Sequence, residues 1–165
     1  MEYSLSNNDI LNYLDNKCNF HTYKELKNFN NIDELLGKYN KCVLLYLTKE
    51  NYGHYTALYK VGNTIYFFDP YGYMIDDELK FVPKHLKKEL NSDYRYLTEL
   101  LYNSGYDVEY NEYQLQKKKI GINTCGRWVI LRLMYPQISI NDFYKLFNEV
   151  KDKIDLDKLI TLLIS

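Results

Sequence analysis

The stretch GHYTALYKVGNTIYFFDPYG, residues 53–72, decides how this chain folds. His54 to Lys60 and Asn63 to Asp69 are rich in strand-forming residues and flank Gly62-Asn63, a dipeptide suited to a tight turn. Two antiparallel strands joined there bring His54 and Asp69 close together, because the two residues sit nearly equidistant from the turn. Pro70 holds the strand end, and Tyr71-Gly72 makes the next turn. Just upstream, Cys42 to Leu47 is a continuous apolar run that predicts a third strand beside the hairpin.

Outward from this centre the pattern turns helical. Asn8 or Asp9 can cap a helix carrying Ile10, Leu11 and Leu14, and Thr22 can cap one carrying Leu26. Asp33 to Lys38 reads as a short helix ended by Gly37. The first forty residues therefore read as short helices. After the hairpin, Pro83 suits the first turn of a helix. Ser92 can cap another, with Leu97, Leu100 and Leu101 inward and Gly105 as its stop. Tyr106 to Gln116 alternates in strand fashion. Thr124 can cap a helix through Tyr135, closed by Pro136; it is apolar almost all round, broken only by Arg127 and Arg132, and so should be central and buried. Ser139 with Asp142 resembles a capping box ahead of Phe143, Leu146, Phe147 and Val150, and Leu156, Leu159, Ile160 and Leu163 repeat the same helical spacing. With no linker, repeat or low-complexity tract, the expectation is one α+β domain over residues 1–165, a small and mostly antiparallel sheet flanked by helices.

A net charge of −1 argues against nucleic-acid binding through bulk charge. Lys117–Lys119 is the one basic run, read first as a solvated loop. The cysteines Cys18, Cys42 and Cys125 are odd in number and widely spaced, which suits neither a zinc site nor a disulfide framework. No metal or other cofactor is expected. The start MEYSLSNNDI lacks the pattern of a secretory signal, and no apolar run approaches a membrane span, so a soluble protein of a reducing compartment is expected. Cys18 and Cys42 then read as small core residues.

Cys125 differs from them by its place. It follows a plausible N-cap, where unpaired backbone N–H groups and the helix dipole favour a thiolate. His54, opening an apolar strand after Gly53, can serve as base, and Asp69 can accept the imidazole N–H and fix its tautomer. Gln114 and Gln116 share one face if their segment is a strand; either amide can join the Cys125 N–H to hold an oxyanion, Gln116 being nearer the cysteine. Gly126 leaves room for a substrate carbonyl. His21 and His85 lie in polar stretches read as helical and receive no task. Each residue alone has a bland structural reading, but the ordered set points to a thiol nucleophile with its base, orienter and oxyanion donor.

The same segments resemble the adenovirus-type (adenain-like) cysteine proteases of the ubiquitin-like-protein protease superfamily. GHYTAL resembles that family's Gly-His-Trp block, FFDPYGY its acidic-Pro-aromatic-Gly-aromatic block, and NTCGRW its x-Cys-Gly block at the start of a central helix. The resemblance covers about the central half of the chain. It departs in Tyr55, where the family has tryptophan, and in the longer gap from Gln116 to Cys125. It implies catalytic His54, Asp69, Gln116 and Cys125, with Gly53, Tyr55 and Gly126 at the substrate. By the same resemblance, to versions from large DNA viruses and related mobile elements, the chain would be a thiol endopeptidase processing virion precursor proteins at Gly-rich sites. It would work in the host cytoplasm or inside the virion. Small substrate residues would fit a narrow cleft walled by Tyr52, Tyr55, Tyr71, Tyr73 and Trp128. The alternatives are an isopeptidase removing ubiquitin or a ubiquitin-like modifier, and a catalytically silent binding domain of the same fold.

Overall fold

The computed structural model describes residues 4–50 and 52–165. Its sheet has five strands in spatial order: β1 (Asn19–Thr22), β2 (Lys41–Lys49), β3 (Tyr52–Val61), β4 (Thr64–Phe68) and β5 (Asp107–Tyr110). The long central strands β2, β3 and β4 pair antiparallel. The short outer strands run parallel to their neighbours, β1 to β2 and β5 to β4. The sheet is therefore mixed, antiparallel at its centre and parallel at both margins. The expected α+β class, with helices flanking a small sheet, is what forms.

β2 reads as an unbroken apolar run because both of its faces are covered. Val43, Leu45 and Leu47 pack on one side with Ala57, Tyr59, Trp128, Val129 and Leu133. Cys42, Leu44 and Tyr46 pack on the other with Leu58, Phe67, Tyr23 and Leu36. The first core is closed by α1 (Asn7–Tyr13), α4 (Cys125–Met134), α5 (Ile140–Asn148) and α6 (Leu156–Leu163). The second is closed by the 3-10 turn Tyr23–Asn28, α2 (Ile32–Leu36) and α3 (Tyr96–Tyr102). Cys18 and Cys42 are both buried, one in each core.

α4 is the central helix. Trp128, Val129, Ile130 and Leu133 are fully buried, and so is Arg132, with Arg127 nearly so. The two arginines are used against the chain itself. Arg127 Nε donates to the Ile164 carbonyl at 2.9 Å, and Arg132 donates to the carbonyls of Tyr135 and Ile138 while lying over the Phe143 ring. They thus satisfy carbonyls that have no helical partner, although Arg132 does so through Nη2 alone and its buried Nε and Nη1 have no hydrogen-bond partner.

Several local expectations are corrected. The cap of α1 is Ser6, not Asn8 or Asp9: the Asp9 N–H donates to Ser6 Oγ, and Asp9 Oδ2 accepts back from the Ser6 N–H at 2.8 Å. Asn19–Thr22, within the region read as helices, is the edge strand β1, so His21 lies on a strand, its ring paired with Glu25. Pro83 precedes only the 3-10 turn Lys84–Leu86. α3 begins after Arg95, and Ser92 caps nothing, its hydroxyl going to the Leu90 carbonyl. Leu146 and Leu163 face outward rather than into the core. β5 stops at Tyr110, so Asn111 to Asn123 is a loop and not the continuation of a strand.

Candidate active site

His54 and Asp69 come from the two strands of the hairpin. Ala57 pairs with Phe68, so the same register carried outward sets His54 opposite Tyr71, with Asp69 on the diagonal. The result is a 2.8 Å contact from His54 Nε2 to Asp69 Oδ1 and a face-to-face stack of the imidazole on Tyr71, 4.2 Å between centroids and 9° between planes. Asp69 is wholly buried, and its Oδ1 also accepts the Tyr71 N–H at 2.8 Å. Its carbonyl accepts from the Gly72 N–H at 2.8 Å, closing a turn with Pro70 at the second position. Gly72 has a φ of +77°, and a Cβ there would stand 2.8 Å from the Tyr113 carbonyl, so the turn requires glycine.

The acid end of the hairpin is locked from outside by Asn111. Its Oδ1 accepts the Asp69 N–H at 2.9 Å, while its Nδ2 donates to the Asp69 carbonyl at 2.7 Å and to the Tyr113 carbonyl at 3.0 Å. Asn111 does for Asp69 what another residue of β5 would have done through its backbone, which is why the strand ends there.

Cys125 opens α4 from the opposite core and meets His54 at the end of the sheet. Both line one cleft of about 470 Å³, together with Tyr52, Gly53, Tyr71 and Gln116. Thr124 precedes the helix but makes no side-chain cap, so its hydroxyl does not occupy the first N–H groups of α4. It donates instead to Asp157 Oδ1 at 2.6 Å, and Asp157 Oδ2 accepts the Lys117 N–H at 3.1 Å. One buried carboxylate from α6 therefore fixes both the helix start and the root of the loop that faces it.

The electrostatics of His54 follow from these neighbours. Burial disfavours the imidazolium, but the Asp69 carboxylate, the nearby Cys125 and hydrogen bonds to both outweigh it, holding His54 well above the ordinary imidazole range. With Nε2 committed to Asp69, Nδ1 is the nitrogen left for the thiol. A second acid beside His54, Glu78, is also buried in the cleft wall, its Oε1 3.8 Å from His54 Nε2. Ligand-capable atoms of His54, Asp69 and Glu78 lie within 4.8 Å of one another, the one group of this kind among the described residues.

Gln116 reaches the cleft and Gln114 does not line it. Gln116 sits in a loop, held by its backbone N–H on the Pro70 carbonyl at 3.0 Å. Its Nε2 donates to the Ile122 carbonyl at 3.2 Å and lies 3.5 Å from the Tyr71 hydroxyl, leaving Oε1 buried without a partner. Gln114 donates to the Gln116 carbonyl and so braces the same loop.

The three substrate-side residues divide. Gly53 lines the cleft, and its missing Cβ is demanded by the neighbouring strand: a methyl there would lie 1.7 Å from the Tyr46 carbonyl oxygen. Tyr55 and Gly126 pack elsewhere. Tyr55 is buried with its hydroxyl donating to Asn7 Oδ1 at 2.5 Å, and a Cβ on Gly126 would meet Ile10 at 3.2 Å and Tyr55 at 3.5 Å. Both serve the contact of α4 with α1 and β3. Trp128 is in the core, so the aromatic wall consists of Tyr52, Tyr71 and Tyr73 with Phe81. Lys118 and Lys119 line the cleft too, Lys118 lying 4.0 Å above the Tyr73 ring, whereas Lys117 pairs with Asp155.

Glu78, Asn111 and Asp157 were not legible beforehand. Glu78 sits in a polar stretch, IDDELK, that reads as a solvated surface, and nothing local distinguishes Asn111 or Asp157 from ordinary loop and cap residues.

Fold and side chains together define an α+β domain in which a thiol, an imidazole and a carboxylate converge at the start of a buried helix. No protein-family model matches the chain. It is 40% identical over 163 residues to "Uncharacterized protein V9" of Sputnik virophage, an alignment that covers 97% of this chain and 93% of that one. The chain belongs to the same family as that virophage protein.

Proposed function

We propose that this protein is a thiol endopeptidase of the adenain-like type, with Cys125 as nucleophile, His54 as its base and Asp69 as the group that orients the base. The observation that carries the reading is the fixed imidazole: Nε2 held by Asp69 at 2.8 Å and the ring stacked on Tyr71, in one cleft with Cys125. His54 accepts the proton of Cys125, which makes the sulfur a thiolate for attack. The thiolate adds to the substrate carbonyl, the N–H groups at the start of α4 receive the oxyanion, and His54 returns its proton to the leaving amine. Water, deprotonated by His54, then frees the acyl group. Gln116 supplies a further oxyanion donor once its Nε2 leaves the Ile122 carbonyl.

A virophage relative supports a viral setting, and within it the reading is processing of virion precursor proteins at small-residue sites, in host cytoplasm or virion. Tyr52, Tyr71 and Tyr73 with Phe81 form the wall against which a Gly-rich segment would lie. The test is cleavage of Gly-Gly-X peptides by the wild-type protein beside Cys125→Ala, with a ubiquitin-type probe in parallel. Peptide cleavage that Cys125→Ala abolishes supports the reading. Reaction with the ubiquitin-type probe alone would shift it to an isopeptidase, and a wild type inert toward peptides, probe and thiol reagents would make the domain a silent binding module.

A further inference from the structure

Two carboxyl oxygens beside His54 have no hydrogen-bond donor. Asp69 Oδ2 and Glu78 Oε1 are both buried and unpartnered, although Asp69 Oδ1 and the Asp69 backbone are fully engaged. Oxygen atoms of the two side chains lie within 4.8 Å of one another. Two adjacent ionised carboxylates out of water repel and leave both oxygens unsatisfied, whereas one proton between them satisfies both. We propose that Glu78 is a positioning residue of this site: its carboxyl group rests neutral and donates its proton to Asp69 Oδ2, so that Asp69 stays locked on His54 as a single carboxylate.

The surroundings fit one proton rather than a metal ion. His54 Nε2 is engaged with Asp69 at 2.8 Å, and Asp69 Oδ1 is shared with the Tyr71 N–H, so neither atom is free to become a ligand. The groups that act on Glu78 are His54 from β3, Asp69 just past β4 and Lys80 on the same 3-10 turn, Asp77–Phe81, with the Tyr71 phenol facing it from the loop after β4. Burial pushes Glu78 up to about 8, with the His54 charge working against the shift and the Asp69 charge working with it. When Glu78 loses its proton, Asp69 loses its donor and a second carboxylate opens onto Nε2. The pair then grips the imidazolium with two charges but without fixed geometry. As a resting-state property this holds whatever the substrate; only its role in turnover rests on the peptidase reading.

Infrared spectra of protein carrying isotope-labelled glutamate test it directly, because they see a protonated carboxyl group without any substrate. The expected result is a protonated glutamate carbonyl band at pH 6.5 that is lost on titration through about 8 and is absent in Glu78→Gln. The alkylation rate of Cys125 should show a step in the same range in the wild type and none in Glu78→Gln, whose amide can donate to Asp69 at every pH. A purely structural Glu78 would lower the melting temperature of the variant and leave the shape of its pH profile unchanged, which overturns the proposal. So does a wild type with no protonated glutamate band at pH 6.5, a result that stands even if Glu78→Gln fails to fold. A zinc-induced rise in melting temperature, present in wild type and absent in Glu78→Gln, would make the cluster a cation site instead. A positive band in a protein that cleaves nothing would sink the peptidase reading and leave this one standing.

Discussion

The β3–β4 hairpin and the loop from Asn111 to Asn123 deliver side chains to the same cleft by different means. His54 is set by its backbone pairing with Tyr46 of β2, and Asp69 follows directly on the last β3–β4 pair, Ala57–Phe68, in a register that side-chain alternation on a buried sheet enforces. The loop has no ladder. It is pinned at isolated points by buried polar groups: Asn111 on Asp69, the Gln116 backbone on Pro70, and Asp157 on the Lys117 N–H. A ladder distributes its strength, while a pinned loop concentrates it in single hydrogen bonds whose loss leaves buried groups unsatisfied. His54 and Asp69 therefore belong to the more firmly held part of the cleft, and Gln116 to the part held by single contacts.

Substitutions on the two arms should separate them. Asp69→Asn keeps the shape of the hairpin end but removes the charge that steadies His54, and should lower peptide turnover by about 100- to 10,000-fold, read as kcat with the melting temperature nearly unchanged. Gln116→Ala should cost about 100-fold in kcat, with a rise in KM because the amide also ties the Ile122 carbonyl. An unchanged kcat would remove Gln116 from the oxyanion role and leave it as a brace. Asp157→Ala strands the Lys117 N–H and the Thr124 hydroxyl, and should cost about 1–3 kcal/mol in denaturant unfolding. Amide exchange should then accelerate over residues 117–123 and not over 54–69; acceleration of both would mean that the two arms are one cooperative unit.

A further effect is that of pH on stability. His54 and Glu78 are both raised in the folded chain above their ordinary values of 6.5 and 4.5. Each therefore contributes stability that is complete below its unfolded value and lost as pH rises, Glu78 between 4.5 and about 8 and His54 from 6.5 upward. Melting temperatures should fall from pH 5 toward pH 9, and Glu78→Gln should flatten the lower part of that slope.

The same contrast explains what could be read from the chain alone. The central strands, their turn at Gly62-Asn63, the buried α4 and the approach of His54 to Asp69 follow from local composition and period, which the fold leaves unaltered. The alternation of Tyr106 to Gln116 misleads because pairing ends where the Asn111 side chain takes the Asp69 N–H, a long-range event with no local mark. β1 is missed because four residues carry too little periodicity; their pairing with β2 is decided by the rest of the sheet. Gly126 and Tyr55 drew a substrate role from their neighbours in sequence, whereas both fill the α1–α4 contact. Glu78 was hidden because acidic residues in a polar run are nearly always solvated, and only burial against His54 makes this one different.

The most direct test of the central claim is the rate of Cys125 alkylation against pH in wild type and His54→Ala. A free thiol reacts with a midpoint near about 8.5. If His54 holds its proton beside Cys125, the wild-type protein reacts rapidly at pH 6 and His54→Ala does not, its profile moving to the free-thiol range. Equal rates for the two proteins at pH 6 would show that the imidazole does not activate the thiol, and the peptidase reading would fall.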